Sequence, residues 1–191
     1  MARLALLVAM VSAAAAQNGS ALGVNTAPIT LELYSDYQCP ACKTLFNDVI
    51  KPLIADYVTS GKVYLIHREF PLQMHAHARP AARYAVAAGR IGKYEQVAEA
   101  LFAAQSQWEK NGDVDAAVAK TLSRPELEKV RKLVKDAATE QVILNDVNRG
   151  TQSGLRQTPT MIFTHRLRTY PVAGLVSYPI VKRFLDSLLA K

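Results

Sequence analysis

Cysteine is nearly absent from this chain: two residues in 191, with a single tryptophan and only nine glycines. So small a number excludes a multi-bridge framework as the source of stability. The lone CxxC lacks the second ligand pair of a structural zinc site, and His75-Ala-His77, which could be read as two ligands on one extended edge, has no third nearby. Beyond the N-terminus no apolar run approaches the length of a membrane span. The 23 basic residues outnumber the 16 acidic ones, but they are dispersed, apart from a mild cluster at Arg166, Arg168, Lys182 and Arg183. Without an aromatic-interleaved basic stripe or a nucleic-acid motif, the net charge of +7 reads as a solvated surface. No repeat is present, which excludes a solenoid.

The two cysteines stand together, as Cys39-Pro40-Ala41-Cys42. A bridge across so short a loop removes little chain entropy, so its value as a staple is small. Ile29 to Tyr34 alternates with period two and reads as a strand. Lys43 to Tyr57 is apolar at Leu45, Phe46, Val49, Ile50, Leu53, Ile54 and Tyr57, the pattern of a helix with one buried face. Pro40 suits the first helical position, where its missing N–H costs nothing. Cys39 is then expected at a helix N-terminus, against unpaired N–H groups and the positive end of the dipole, which favours the thiolate. That points to thiol–disulfide chemistry.

The N-terminus carries one basic residue, a short apolar run from Leu4 to Val11, and Ala14-Ala15-Ala16. These are the parts of a secretory leader over 1–16, with an uncleaved anchor as the competing reading. Export would place the cysteines in an oxidising compartment. Residues 17–27, small and polar, read as a loose lead-in. Ser60-Gly61 ends the first helix, Pro52 is expected to kink it, and Lys62 to Phe70 reads as a second strand. Residues 72–150 show no strand signal. Helices are expected at Arg79–Ala88, Tyr94–Trp108, Asp113–Leu122 and Pro125–Val147, the last opened by a capping box at Ser123-Arg-Pro-Glu126. Met161–Thr164 and Arg168–Val172 form an expected hairpin, and Tyr178–Leu189 a closing amphipathic helix. The order is a βαβ unit and a ββα unit separated by a helical block.

Gln157-Thr158-Pro159-Thr160 opens the third strand, a position proline normally avoids. With Cys-Pro-Ala-Cys, the helical block and the leader, this threonine–proline step resembles the DsbA-type family of thiol–disulfide oxidoreductases, from about residue 28 to the C-terminus. The resemblance implies an α/β, thioredoxin-like fold over 28–71 and 151–191, interrupted by an inserted helical subdomain over 72–150. It implies that Cys39 is the exposed nucleophile and Cys42 the buried resolving thiol, with Pro159 as a cis-proline packed on the active-site pair. Thr158 would offer its backbone to an extended substrate strand. Glu32, opposite in direction to Leu31 and Leu33 on a central strand, matches the buried acid that moves a proton for Cys42, with burial expected to raise its pKa. A solvated Glu32 on the sheet edge is the alternative.

Pro40 and Ala41 would tune the potential. Strongly oxidising members carry histidine in place of Ala41, so an intermediate potential is expected here. The implied substrates are cysteine-containing proteins, recycled by a membrane redox partner, with no cofactor required and a periplasmic or otherwise exported location. An oxidase is the leading reading. A reductase or isomerase on the same fold is the nearest rival, and a metal-binding or chaperone-like module using Cys39, Cys42 and a histidine is the rival from another class. His75 and His77 read as surface residues, His67 as packed core, His165 as near the hairpin turn and Trp108 as core of the helical block. Tyr37 and Phe70-Pro71 are candidates to line a shallow apolar groove for unfolded chains.

Overall fold

The structure, a computed structural model, describes residues 19–190; the leader expected over 1–16 lies outside them. Five strands form one mixed sheet: β1 (Ala21–Leu22), β2 (Ile29–Ser35), β3 (Val63–Glu69), β4 (Thr160–His165) and β5 (Arg168–Ala173), in the order β1-β3-β2-β4-β5. β2 and β3 run parallel, with Leu31 beside Leu65 and Ser35 beside Glu69. β4 runs antiparallel to β2, and β5 antiparallel to β4. This is the thioredoxin-like sheet expected, with one addition. Ala21 and Leu22, within the expected lead-in, pair antiparallel with Ile66 and Leu65 of β3. Ser20 adds a carbonyl that accepts from the His67 N–H, and Gly19 packs so tightly on Gly89 that no side chain would fit.

The connection from β2 to β3 starts at Pro40 as α1 (Pro40–Leu45), then passes through a π turn over Phe46–Ile50, α2 (Lys51–Leu53) and a second π turn over Ile54–Val58. The wider turns bracket Pro52, which cannot donate to the carbonyl four residues back, and replace the single kink expected. The buried face is the one the pattern gave, Leu45, Phe46, Val49, Ile50, Leu53 and Tyr57, except that Ile54 is only half-buried.

Between β3 and β4 lie α3 (Ala78–Gly89), α4 (Tyr94–Ala103), α5 (Gln105–Trp108), α6 (Val114–Ala119), α7 (Arg124–Leu133) and α8 (Ala137–Gln152); α9 (Tyr178–Leu189) closes the chain. Two expected helices are each divided. Tyr94–Trp108 breaks at Ala104, and Pro125–Val147 breaks where Asp136 caps a new helix by accepting from the Ala138 N–H. The capping box at Ser123 and Glu126 is formed. Alanine dominates the buried face of α3, which lets α4 and α8 approach it closely. Gly150 of α8 does the same against the sheet: a Cβ there would come within 2.7 Å of the Phe70 ring and 2.9 Å of Tyr34.

One core runs through both parts. Leu31, Leu33 and Leu65 of the sheet belong to the same buried cluster as Val97, Leu101, Trp108 and Val118 of the helical block. Trp108 fixes its own place by donating to the Leu101 carbonyl. Among the described residues, no helix is long and apolar enough to cross a membrane.

Candidate active site

The turn after β2 builds the site. Asp36 is almost fully buried and organises it: one carboxylate oxygen accepts from the Gln38 N–H at 2.7 Å. The other accepts from the Leu72 N–H at 2.8 Å and lies 2.8 Å from His75 Nδ1. The Asp36 backbone carbonyl accepts from the Cys39 N–H, and its N–H donates to Cys42 Sγ at 3.5 Å. One residue therefore ties both cysteines to the loop after β3. Gln38 extends the tie. It donates to the Glu109 carbonyl and accepts from the His77 N–H. Gln105 donates to the carbonyls of Tyr37 and Cys39, so that the helical block clamps the site backbone from the other side. None of Asp36, Gln38 or Gln105 carries a sequence signal of its own, because their partners are backbone groups distant in sequence.

Both cysteines are free thiols. Cys39 caps α1 with an extended backbone, its carbonyl accepts from the Cys42 and Lys43 N–H groups, and Pro40 follows at the first helical position. Cys39 is 7% exposed and Cys42 1%, so the nucleophile is less open than expected, while Pro40 beside it is exposed. The two thiols are driven apart in acidity. A hydrogen bond from the Cys42 thiol is the largest influence on Cys39. Although burial opposes it, that bond and the Cys42 N–H bring the Cys39 pKa down to about 6. Burial pushes Cys42 far up, and the neighbouring Cys39 sulfur adds to the rise. Of the two sulfurs, Cys39 favours the thiolate and Cys42 the thiol.

Across from the pair, the Thr158–Pro159 peptide is cis, and the Cys39 thiol lies 3.6 Å from the Thr158 carbonyl. The Pro159 carbonyl accepts from the Gly174 N–H, which draws the segment after β5 to the same end of the sheet. There Leu175, Val176 and Pro179 face Leu45 and Val49 across an open, mainly apolar groove of about 420 Å³. Met74 and Leu175 are exposed. Tyr37 and Phe70, expected to line such a groove, are instead buried beneath the site.

Glu32 departs from expectation most clearly. Its carboxylate accepts from Arg149 at 2.9 and 3.1 Å and from Arg68 at 2.9 Å, on the sheet face covered by α8. Burial alone would raise its pKa, but the two guanidinium groups outweigh burial and hold it below the ordinary value. The structure joins Glu32 to arginines and not to Cys42, and it is neither an edge residue nor a solvated one. Arg68 also pairs with Asp146. The His75 ring, expected on the free surface, meets Asp36, while His77 is half-buried and gives only its backbone N–H to Gln38; His67 is buried as expected of core, and His165, also buried, ends β4 at the hairpin turn. Among the described residues no group of three or more histidine, cysteine or acidic side chains is placed to hold a metal ion.

The arrangement so far is a dithiol on a helix N-terminus, facing a cis-proline loop at the carboxyl ends of β2 and β3. A family model for thioredoxin matches residues 15–178. The chain belongs to the thioredoxin family. Its sheet, helical insertion and site order are those of the DsbA-type members. The crystal structure of Pseudomonas aeruginosa DsbA2 superposes with a TM-score of 0.68 at 27% identity, covering 89% of this chain and 93% of that one. Disulfide bond formation protein D of Bacillus subtilis is 22% identical over 178 residues, 88% of this chain and 76% of that protein. The Na(+)/H(+) antiporter NhaA 3 of Salinispora tropica is 28% identical over 145 residues, 75% of this chain. This chain spans about a fifth of that relative's length, 21%.

Proposed function

We propose that this DsbA-type thiol–disulfide oxidoreductase works in an exported compartment, such as the periplasm, as a donor of disulfides to cysteine-containing proteins. The observation that carries the reading is the geometry of the dithiol: Cys39 caps α1 across from the cis Thr158–Pro159 peptide with Cys42 enclosed behind it, which favours a thiolate at Cys39 and a thiol at Cys42. A Cys39 thiolate that is stabilised at neutral pH makes the reduced pair the favoured one, and so makes the disulfide an oxidant.

In the oxidised protein a substrate thiolate attacks Cys39 Sγ. The Cys39–Cys42 bond breaks, a substrate–Cys39 bond forms, and Cys42 leaves with the electron pair and takes up a proton. The second substrate thiolate then attacks the substrate sulfur of the mixed disulfide, and Cys39 leaves as the thiolate its surroundings favour. Two electrons have passed to the cysteine pair, and a membrane redox partner would remove them. Pro40 and Ala41 border the nucleophile, the buried Thr158 and Pro159 face it, and the exposed Arg156 and Gln157 just before them lead to the Thr158 backbone on which an extended chain would pair. The disulfide exchange itself calls on no cofactor.

Ala41 offers no side-chain donor, and the Cys39 value of about 6 falls between the roughly 3.5 and roughly 7 of strongly oxidising and reducing relatives of this chemistry. An intermediate potential is therefore expected. Equilibration of Cys39 and Cys42 against graded glutathione, read by thiol trapping, measures it. A potential near or above about −150 mV supports the donor, and one below about −230 mV assigns a reductase instead.

A further inference from the structure

The end of the sheet opposite the thiols is basic and carries two bare apolar tips, and the exchange chemistry makes no use of it. β4 and β5 are joined there by a two-residue turn, Arg166-Leu167, closed by the pair His165 and Arg168. Both turn residues have positive φ, 46° at Arg166 and 66° at Leu167. Glycine and asparagine adopt such a turn readily, whereas arginine and leucine enter it at a cost. Leu167 recovers none of that cost by packing, since it is 100% exposed.

A single exposed leucine is ordinary. Its surroundings set this one apart. Arg166 and Arg168 flank it, both exposed, and among the described residues neither forms an ion pair. With His165, Tyr170 and Leu188 they line an open cavity of about 260 Å³ behind the tip, room for a phosphate headgroup. At the same end of the sheet Val24 is 51% exposed, beside Gly61 and the exposed Lys62. β3 and β4 are two strand spacings apart, so the two tips stand on the order of 10 Å from each other. The segments that meet here, 23–30, 59–63, 163–170 and 187–190, contain no aspartate or glutamate. The acids next along the chain are engaged: Asp56 accepts from Tyr178, and Asp186 from Tyr57 and Lys182.

We infer that this end of the molecule docks on an anionic membrane surface. Leu167 and Val24 enter the boundary between headgroups and acyl chains, while Arg166, Arg168 and Lys62 meet lipid phosphates. Charge complementarity selects an acidic partner, and the shape selects a lipid one. Two convex tips suit a surface that yields around each side chain, where an acidic protein would need a preformed hollow for both. The seven residues of β2 separate this end from the thiol turn by about 20 Å. A docked molecule therefore holds Cys39 turned away from the bilayer and open to chains in solution. It must let go to present Cys39 to a partner within the membrane, and so few contacts, screened by salt, allow that release. The docking itself does not depend on the exchange reading.

The test is co-sedimentation of the full chain with vesicles of phosphatidylcholine alone, and of phosphatidylcholine with phosphatidylglycerol at about two to one. Binding to the anionic vesicles is expected, about tenfold weaker to the neutral ones, and weakened by salt. A variant carrying both Arg166→Gln and Arg168→Gln should bind the anionic vesicles about thirtyfold more weakly, from a factor of about five for each cation at such a surface. It should exchange disulfides with a soluble dithiol at the wild-type rate. Leu167→Trp reports the tip itself: lipids brominated along their acyl chains should quench its fluorescence, with the wild-type protein, whose Trp108 is buried, as the background. Bound Leu167→Trp that stays unquenched, or a double-arginine variant that binds as the wild type does, overturns the proposal and assigns any membrane contact to another part of the chain. Absence of wild-type binding overturns it as well, and retention of the wild type but not the double variant on an immobilised acidic protein would then assign this end to a protein partner.

Discussion

Cys39 and Cys42 share a helix start, yet one is held as thiolate and the other as thiol, because one sulfur receives donors and the other is enclosed. Iodoacetamide should therefore modify Cys39 along a titration centred near pH 6 and leave Cys42 untouched until the protein unfolds. The same difference links folding to pH. The folded Cys39 value lies below the ordinary 9.0, so the unfolded chain binds more protons between about pH 6 and 9. The reduced protein should become more stable as pH rises through that window, and should lose this contribution as pH falls through 6. Urea midpoints of the reduced protein at both ends of the window check the sign, and a Cys39→Ser variant should lose the slope. Arg68 poses a different balance, since it neutralises the buried Glu32 and Asp146 together. Arg68→Ala should cost about 3 kcal/mol, the low end for breaking a buried pair, because Arg149 still serves Glu32. Denaturant unfolding measures it. At this scale the place of the cysteines at a helix start and of a cis Pro159 at the entrance of a strand was legible, because a CxxC before a helix and a proline before a strand are written locally. Glu32 was misjudged for a physical reason: alternation tells which way a side chain points, but not that Arg149, 117 residues away, will meet it.

At the scale of elements, Gly150 sets two effects against each other. In an exposed helix, glycine to alanine would gain about 0.5–1 kcal/mol. Here the added Cβ would meet the rings of Phe70 and Tyr34, both buried and unable to swing aside. Overpacking of about 1–3 kcal/mol should win, so Gly150→Ala is expected to lower the melting temperature despite the helix propensity. Calorimetry decides between the signs. The strands and most helices could be read from periodicity, since each buries one face. What periodicity missed were interruptions. At Asp136 a side-chain cap starts a new helix, and at Ala104 the backbone leaves helical geometry without any side-chain cap, neither of which a hydrophobic period records. β1 escaped for a similar reason, as two residues are too few to show a period.

Across the whole molecule, the helical block is not an appendage. Gln38 to Glu109, Gln105 to Tyr37 and Cys39, and Tyr37 to Tyr94 all cross from the sheet to the block within a few residues of the cysteines. Unfolding should accordingly be one transition: the fluorescence of Trp108, inside the block, and the circular dichroism of the whole chain should give the same urea midpoint. A lower midpoint for Trp108 would mean that the block melts separately. Reduction should raise that common midpoint if the pair is an oxidant, since the more stable reduced state is the source of the oxidising power.

The two borders of the sheet deserve the last consideration. On one side β1 offers only two residues, and on the other β5 carries Pro171, which has no N–H to give, with Arg168 at its start. An open strand edge is a template on which other chains can polymerise, and brevity, proline and charge are the features that spoil the template. On the proposed exchange reading, partners that arrive with their own strands unpaired would bring that hazard to every encounter. Blunted flanks would then leave the thiol end of the molecule as the place for such guests.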